Sequence, residues 1–252
     1  MHTIHASLAT LGGMTFAAAM DRAQEGVIDP ILGRLSTREV QLCPQNIGHL
    51  SEGLARSLMA EHPETRFRLH ANVRVLRDRH ILDLSSFDPT HPYWQQLARI
   101  NTLLGGFGYT AHAGRRGEGT TLKGVFDATR RAADLFGCRV GVEGGYPTFR
   151  GEPWLLSTWE EYREMLEARV DFALDLSHLN IVAVLGRRKE PGLVREMLAS
   201  EHCIEVHLSA NSGRADEHRM LEDEPWWWPL MGSIHRDAIV FSEGAPPRKR
   251  PA

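Results

Sequence analysis

Cysteine is scarce in these 252 residues: Cys43, Cys138 and Cys203 are odd in number and far apart. That spacing excludes a disulfide framework and a paired-thiol zinc motif, and a reducing cytoplasm is the expected location. Met1–Met20 lacks a basic start followed by an apolar core, and no apolar run reaches membrane-spanning length, so neither export nor a membrane partner is expected. An excess of charge is equally missing. With 29 Lys and Arg against 32 Asp and Glu the formal net charge is −3, which gives the surface no footprint for strong nucleic-acid binding. There is no internal repeat and no dividing linker. One domain over 1–244 is expected, followed by a mobile, basic, proline-rich tail at 245–252.

What is present is a regular alternation. Eight short runs rich in apolar or β-branched residues read as strands: Thr3–Leu8, Glu39–Cys43, Arg66–His70, Phe107–His112, Arg139–Glu143, Val170–Asp175, Cys203–Ser209 and Ala238–Glu243. Between them, helical spacing marks Met14–Leu35, Ile47–Glu61, Tyr93–Leu104, Leu122–Phe136, Thr158–Glu167, Pro191–Ser200 and His218–Met231. Strand and helix repeated to eight imply an α/β fold, a single (β/α)8 barrel with parallel strands. Its eighth helix is reduced or missing, because the chain after Glu243 has no apolar face.

The ligand-type residues fall where such a barrel keeps its chemistry, at the C-terminal ends of strands. Strands three to eight end in His70, His112, Glu143, Asp175, His207 and Glu243. Asp175 and His178 lie three apart, so both turn inward if the following loop curls over the mouth. Asp216 and His218 alternate by two, which in extended backbone points both the same way. Imidazole with carboxylate and no thiolate suits zinc, iron or manganese, and nine ligands are too many for one ion. A lone histidine near a strand end is more often an ordinary hydrogen-bonded residue than a ligand, at odds of about ten to one; nine residues placed in series escape that objection. Arg115 and Arg116, just after His112, are candidates to hold a substrate carboxylate or phosphate, with a solvated loop pair the equal alternative. His5 is a weaker candidate for reaching the mouth from strand one. Cys43 reads as a small buried thiol, and Trp226–Trp228 as helix-face packing or a partner surface.

The order His70, His112, Glu143, Asp175-x-x-His178, His207, Asp216-x-His218, Glu243 resembles the ligand series of the xylose isomerase-like barrel superfamily. It is most similar to the endonuclease IV branch and to the multinuclear non-heme iron enzymes that oxidatively modify peptides. The resemblance implies one metal on His70, His112 and Glu143, a second on Glu143, Asp175, His207 and Glu243, and a third on His178, Asp216 and His218. Glu143, Asp175 and His207 are then the expected catalytic residues. The step from Val206–Ala210 to Asp216-Glu217-His218, followed by tryptophans and Pro229-Leu230, favours the oxidative branch. That branch implies two to three iron ions, zinc or manganese being alternatives. It also implies dioxygen, a cysteine-containing peptide substrate in natural-product biosynthesis, and a small partner protein that presents the leader peptide. The competing readings are a zinc phosphodiesterase of the endonuclease IV kind and a metal-dependent sugar isomerase or epimerase.

Overall fold

The computed structural model describes residues 2–246. Eight parallel strands form a nearly closed barrel: β1 Ile4–Ser7, β2 Ser36–Leu42, β3 Arg66–Leu69, β4 Gly108–His112, β5 Arg139–Glu143, β6 Phe172–Asp175, β7 Cys203–Leu208 and β8 Ile239–Ser242. The hydrogen-bonded order is β3-β2-β1-β8-β7-β6-β5-β4. The ladder therefore breaks at one place, between β3 and β4. Across the barrel β4 and β5 pair in register from Gly108 with Arg139 to His112 with Glu143, so adjacent strands deliver their last side chains at one height. Asp175 likewise stands opposite His207.

Among the described residues seven α-helices surround the strands: α1 Phe16–Glu25, α2 Glu52–Glu61, α3 Pro92–Leu103, α4 Leu122–Phe136, α5 Trp159–Glu167, α6 Leu176–Leu185 and α7 Pro191–Ala199. Their starts are chemically marked. The Thr15, Ser51, Thr121 and Thr158 hydroxyls each accept a backbone N–H of the first turn, which satisfies one of the donors a helix start leaves orphaned. In α4, the residues Val125, Phe126, Ala128, Thr129, Ala132 and Phe136 are buried on one face, and Gly137 at φ 62° ends the helix in the left-handed region. Truncating Phe136, which stacks on Tyr109 at 4.7 Å between ring centroids, to Ala would cost about 3–5 kcal/mol.

Two expected helices differ, and one helix appears outside the expected set. The helix expected over Met14–Leu35 stops at Glu25. Gly26 sits at φ 119°, and Ile28–Asp29 and Gly33–Arg34 form a small antiparallel hairpin instead. The Asp29 carboxylate accepts the Ile31 and Leu32 N–H groups at 2.9 and 3.0 Å, the turn chemistry that Asp-Pro favours over a helix. The helix expected over His218–Met231 is absent: His218 lies at φ 44°, and only Trp228–Ser233 is helical, as a 3-10 turn. Of the three tryptophans, Trp227 is buried, while the Trp226 indole donates to Asn180 Oδ1 at 3.1 Å. Conversely, α6 appears where the sequence pattern indicates a loop. Its buried residues run around the helix as Leu176–Leu179 and Ile181–Ala183, so its sequence has no polar face and no helical period. After β8 there is no helix among the described residues, as the sequence implies. Ala245 is tied by its N–H to the His218 carbonyl at 2.7 Å; the remainder of the expected tail, 247–252, lies outside the described residues. No described helix is long and apolar enough to cross a membrane.

Candidate metal centre

All nine side chains named from the sequence converge at the C-terminal mouth of the barrel. Glu143, at the end of β5, is at the middle. Its Oε1 lies 3.6 Å from His207 Nδ1, 3.8 Å from His112 Nε2 and 3.8 Å from His178 Nδ1. Glu243 follows β8 and faces His70 Nε2 at 3.3 Å, His207 Nδ1 at 3.7 Å and His218 Nδ1 at 3.6 Å. Asp216 lies between His178 Nε2 at 3.3 Å and His218 Nε2 at 2.9 Å. Three buried groups each place their ligand atoms within 4.8 Å of one another: His70, Glu143 and His207; Glu143, Asp175 and His178; Asp175, His207 and Glu243. Glu143, Asp175 and His207 each belong to two of them. His112 is about a third exposed and stands at the open edge.

Local folding explains the convergence. Asp175 ends β6 and caps α6 in one move, its Oδ1 accepting the Ser177 and His178 N–H groups at 2.7 and 3.2 Å. His178 is thus held one helical turn from Asp175, with Nε2 3.4 Å from its Oδ2. No curling loop is needed. His178 Nδ1 donates to the Gly144 carbonyl at 2.9 Å, and His70 Nδ1 donates to the Ala71 carbonyl at 2.8 Å. In both rings this leaves Nε2 turned toward carboxylates. The Asp216–His218 segment returns over the mouth because Ala210 and Arg219 exchange backbone hydrogen bonds at 2.7 and 2.9 Å, closing a loop. The left-handed backbone at His218, and not an extended strand, points its ring at Asp216.

The site is charged and largely buried. Burial works against every charge here, yet the His207 and His112 charges hold Glu143 well below the ordinary carboxylate range. Glu243 is held at about 2, against burial, by His207 and His70. His178 rises to about 10 through Asp175 and Asp216, again against burial, and His218 to about 9 through its Asp216 hydrogen bond. Asp175 moves up, mainly by burial. Five buried atoms at this site have no hydrogen-bond partner: Glu143 Oε2, His207 Nδ1, Asp216 Oδ1, His218 Nδ1 and Glu243 Oε1. Buried polar atoms without partners are costly. Cations among them would satisfy all five, and a carboxylate shared between two cations offsets their mutual repulsion. The donor set fits a cluster of hard or borderline metals.

No protein-family model matches the sequence, and no curated protein matches it. Solved structures do match. A D-tagatose 3-epimerase-like protein aligns at TM-score 0.68 and 17% identity, over 96% of this chain and 90% of its own. The IolI protein with a bound zinc atom aligns at TM-score 0.60 and 10% identity, over 97% and 90%. Endonuclease IV from Thermus thermophilus aligns at TM-score 0.53 and 15% identity, over 98% and 92%. At these identities the likeness concerns the fold alone.

Other candidates lie elsewhere. Arg116 pairs with Glu161 at 2.7 Å and Glu152 at 3.6 Å, and Arg115 sits 4.8 Å over the Trp154 ring, so both guanidinium groups are engaged at the rim. Arg79, not singled out in the sequence, lines the cavity over the cluster instead. His5 is at the opposite end, accepting the Glu39 N–H at 3.2 Å, with burial drawing it down to about 4 and so neutral. Cys43 is fully buried beside Ser7. Asn72 and Asp83 were also missed. The Asn72 amide approaches His112 Nδ1 at 3.4 Å and Asp83 at 3.3 Å. No ligand-type spacing marks either residue in the sequence; Asn72 sits at φ 60°, a conformation that asparagine adopts more readily than most residues.

Proposed function

We propose that this protein is a multinuclear metalloenzyme that loads iron and uses dioxygen to oxidise a peptide. The carrying observation is Glu143 Oε1 within 3.8 Å of imidazoles from three separate segments, with its Oε2 unpaired and buried. Glu143, Asp175, His207 and Glu243 would hold one ion, His70 and His112 with Glu143 a second, and His178, Asp216 and His218 a third. Iron held there would supply the redox change that an oxidation by dioxygen requires.

The shape above the cluster supports an extended substrate. A cavity of about 240 Å³ is walled by Ile81, Tyr146, Trp154 and Leu155 and reaches His112, His178 and Asp216. A second, of about 200 Å³, covers the cluster itself and shares those three residues. A third, of about 690 Å³, continues from His218 and Gln45 past Thr10, Gly12 and Gly13. Together they make a trough across the mouth, apolar and aromatic at one end and mixed at the other, suited to side chains of a peptide on either side of the reacting residue. The Tyr146 ring lies against His178 at the apolar end, tilted by 54° with the ring centroids 4.7 Å apart. The peptide's leader-presenting partner protein belongs to the same proposal.

Iron-loaded protein, given its peptide and any partner, is expected to consume dioxygen and change the peptide mass by an oxidative step. Asp175→Asn should abolish the change while the fold persists, because asparagine retains the helix cap. Equal activity with zinc, and no oxygen uptake, would sink the oxidase reading, since zinc has no accessible redox change.

A sugar isomerase or epimerase is the second reading, favoured by the D-tagatose 3-epimerase-like neighbour. It leaves the His178–Asp216–His218 cluster without a task, and turnover of a ketose by singly loaded protein would establish it. Duplex DNA fits poorly. At a net charge of −3, binding should be weak and lost at moderate salt, because nonspecific affinity rests on neutralised phosphates. Cleavage of an abasic-site duplex at physiological salt, lost in His112→Ala, would reverse this ranking in favour of the phosphodiesterase.

A further inference from the structure

One pleat below the ligands lies a second inward layer that the proposed chemistry does not use. It comprises Gln41 of β2, Arg68 of β3, Thr110 of β4 and Glu205 of β7, all at most 2% exposed. A carboxylate at the axis of a barrel is costly unless paired, and both Glu205 oxygens face donors. Its Oε1 accepts His207 Nε2–H at 2.6 Å, Gln41 Nε2–H at 2.9 Å and the Thr110 hydroxyl at 3.1 Å. Its Oε2 forms an ion pair with Arg68 Nε. Glu205 lies two residues from His207, yet it belongs to none of the three ligand groups. The 3.2 Å approach between the Gln41 and His207 nitrogens is the packing of two donors that share one acceptor.

His207 is itself fully buried, and with Nε2 committed to Glu205 its Nδ1 is left without a hydrogen-bond partner. That atom lies 3.6 Å from Glu143 and 3.7 Å from Glu243. Arg68 in turn reaches Glu205 through the one break in the ladder, between β3 and β4. Phe107 lies 5.3 Å from its guanidinium, and residue 108 is glycine where a Cβ would stand 2.7 Å from Arg68 Nη1. The seam is shaped around this side chain.

We propose that Arg68 and Glu205 are positioning residues: Arg68 holds Glu205 in place, and Glu205 fixes the His207 ring so that Nδ1, and not Nε2, is the metal-binding atom. The inference rests on His207 being a metal ligand. Carboxylates placed behind metal-bound imidazoles orient the ring and raise its basicity, and their loss typically weakens metal binding about 10–100-fold. The bland alternative is that the ion pair merely closes the seam.

Zinc is the diamagnetic probe. In protein labelled with 15N-histidine and loaded with zinc, long-range proton–nitrogen correlation spectra should show His207 bound through Nδ1 with Nε2 protonated, the ring being assigned by its loss in His207→Gln. Glu205→Gln leaves Arg68 unpaired, so the paired variant Arg68→Met with Glu205→Gln is the fairer test: it removes both charges and spares the fold. If the pair positions His207, the double variant should keep its circular dichroism yet bind zinc about 10–100-fold more weakly. Unchanged zinc affinity in the folded double variant, or zinc on Nε2 of His207 in the wild type, would overturn the proposal while leaving the metal centre intact. His207 signals indifferent to zinc would overturn the metal centre and the proposal together. Should the double variant not fold, the wild-type spectrum decides alone.

Discussion

Glu143→Gln protein is expected to lose more than roughly one equivalent of metal per chain, because a neutral amide cannot balance two cations at once. The change is nearly isosteric, and Glu143 is held ionised only by the imidazoles around it. In the absence of metal the fold should therefore tolerate it. The same substitution at Glu164, on the outer part of α5, should alter nothing. Metal analysis by mass spectrometry after purification without oxygen reads the difference, and any oxidative activity should fall at least about a hundredfold with it. Loss of one ion or fewer would mean that Glu143 serves a single site.

Metal uptake should depend steeply on pH. In the metal-free protein His178 and His218 titrate at about 10 and 9, and His70 and His207 are likewise raised, by Glu243, against burial. At neutral pH these rings carry protons that a cation must displace. Affinity should tighten about tenfold per pH unit for each proton displaced, so two displaced protons give about a hundredfold. Stability of the metal-free protein follows the same groups. The raised histidines contribute stability that is fully present below their unfolded value near 6.5 and is lost as pH rises through about 9 and 10. Glu243 contributes stability that is present above its unfolded value near 4.5 and is lost as pH falls through about 2. Thermal melts of chelator-treated protein should therefore decline from pH 7 to pH 10, and metal-loaded protein should decline much less. A flat alkaline profile without metal, or pH-independent uptake, would show that these imidazoles do not hold protons in the empty cluster.

The strand ends carried most of what was legible. β5 and α4 occupy the ranges expected of them, and the ligand-bearing strands were visible because five short apolar runs stop on a His, Asp or Glu and a sixth carries His207 close to its end. Failures came where local chemistry overrides periodicity. Asp29-Pro30 makes a hairpin turn from a stretch of apparent helical spacing, and α6 hides because it is buried around its circumference. The layer beneath the ligands was readable in principle: Arg68 precedes His70 by two, Thr110 precedes His112 by two and Glu205 precedes His207 by two, the period that puts side chains on one face of a strand. The mutual arrangement of Asp216 and His218 was not readable, since it depends on a left-handed residue and on a backbone bridge from Ala210 to Arg219.

The most direct test of a shared-carboxylate cluster is anomalous diffraction at the iron edge from crystals of protein loaded with iron under anaerobic conditions. Two or more peaks are expected within the ring of His70, His112, Glu143, Asp175, His178, His207, Asp216, His218 and Glu243. Two of them should be separated by about 3.5–4 Å, with Glu143 between them. A single peak, or a pair that Glu143 does not touch, would contradict the cluster.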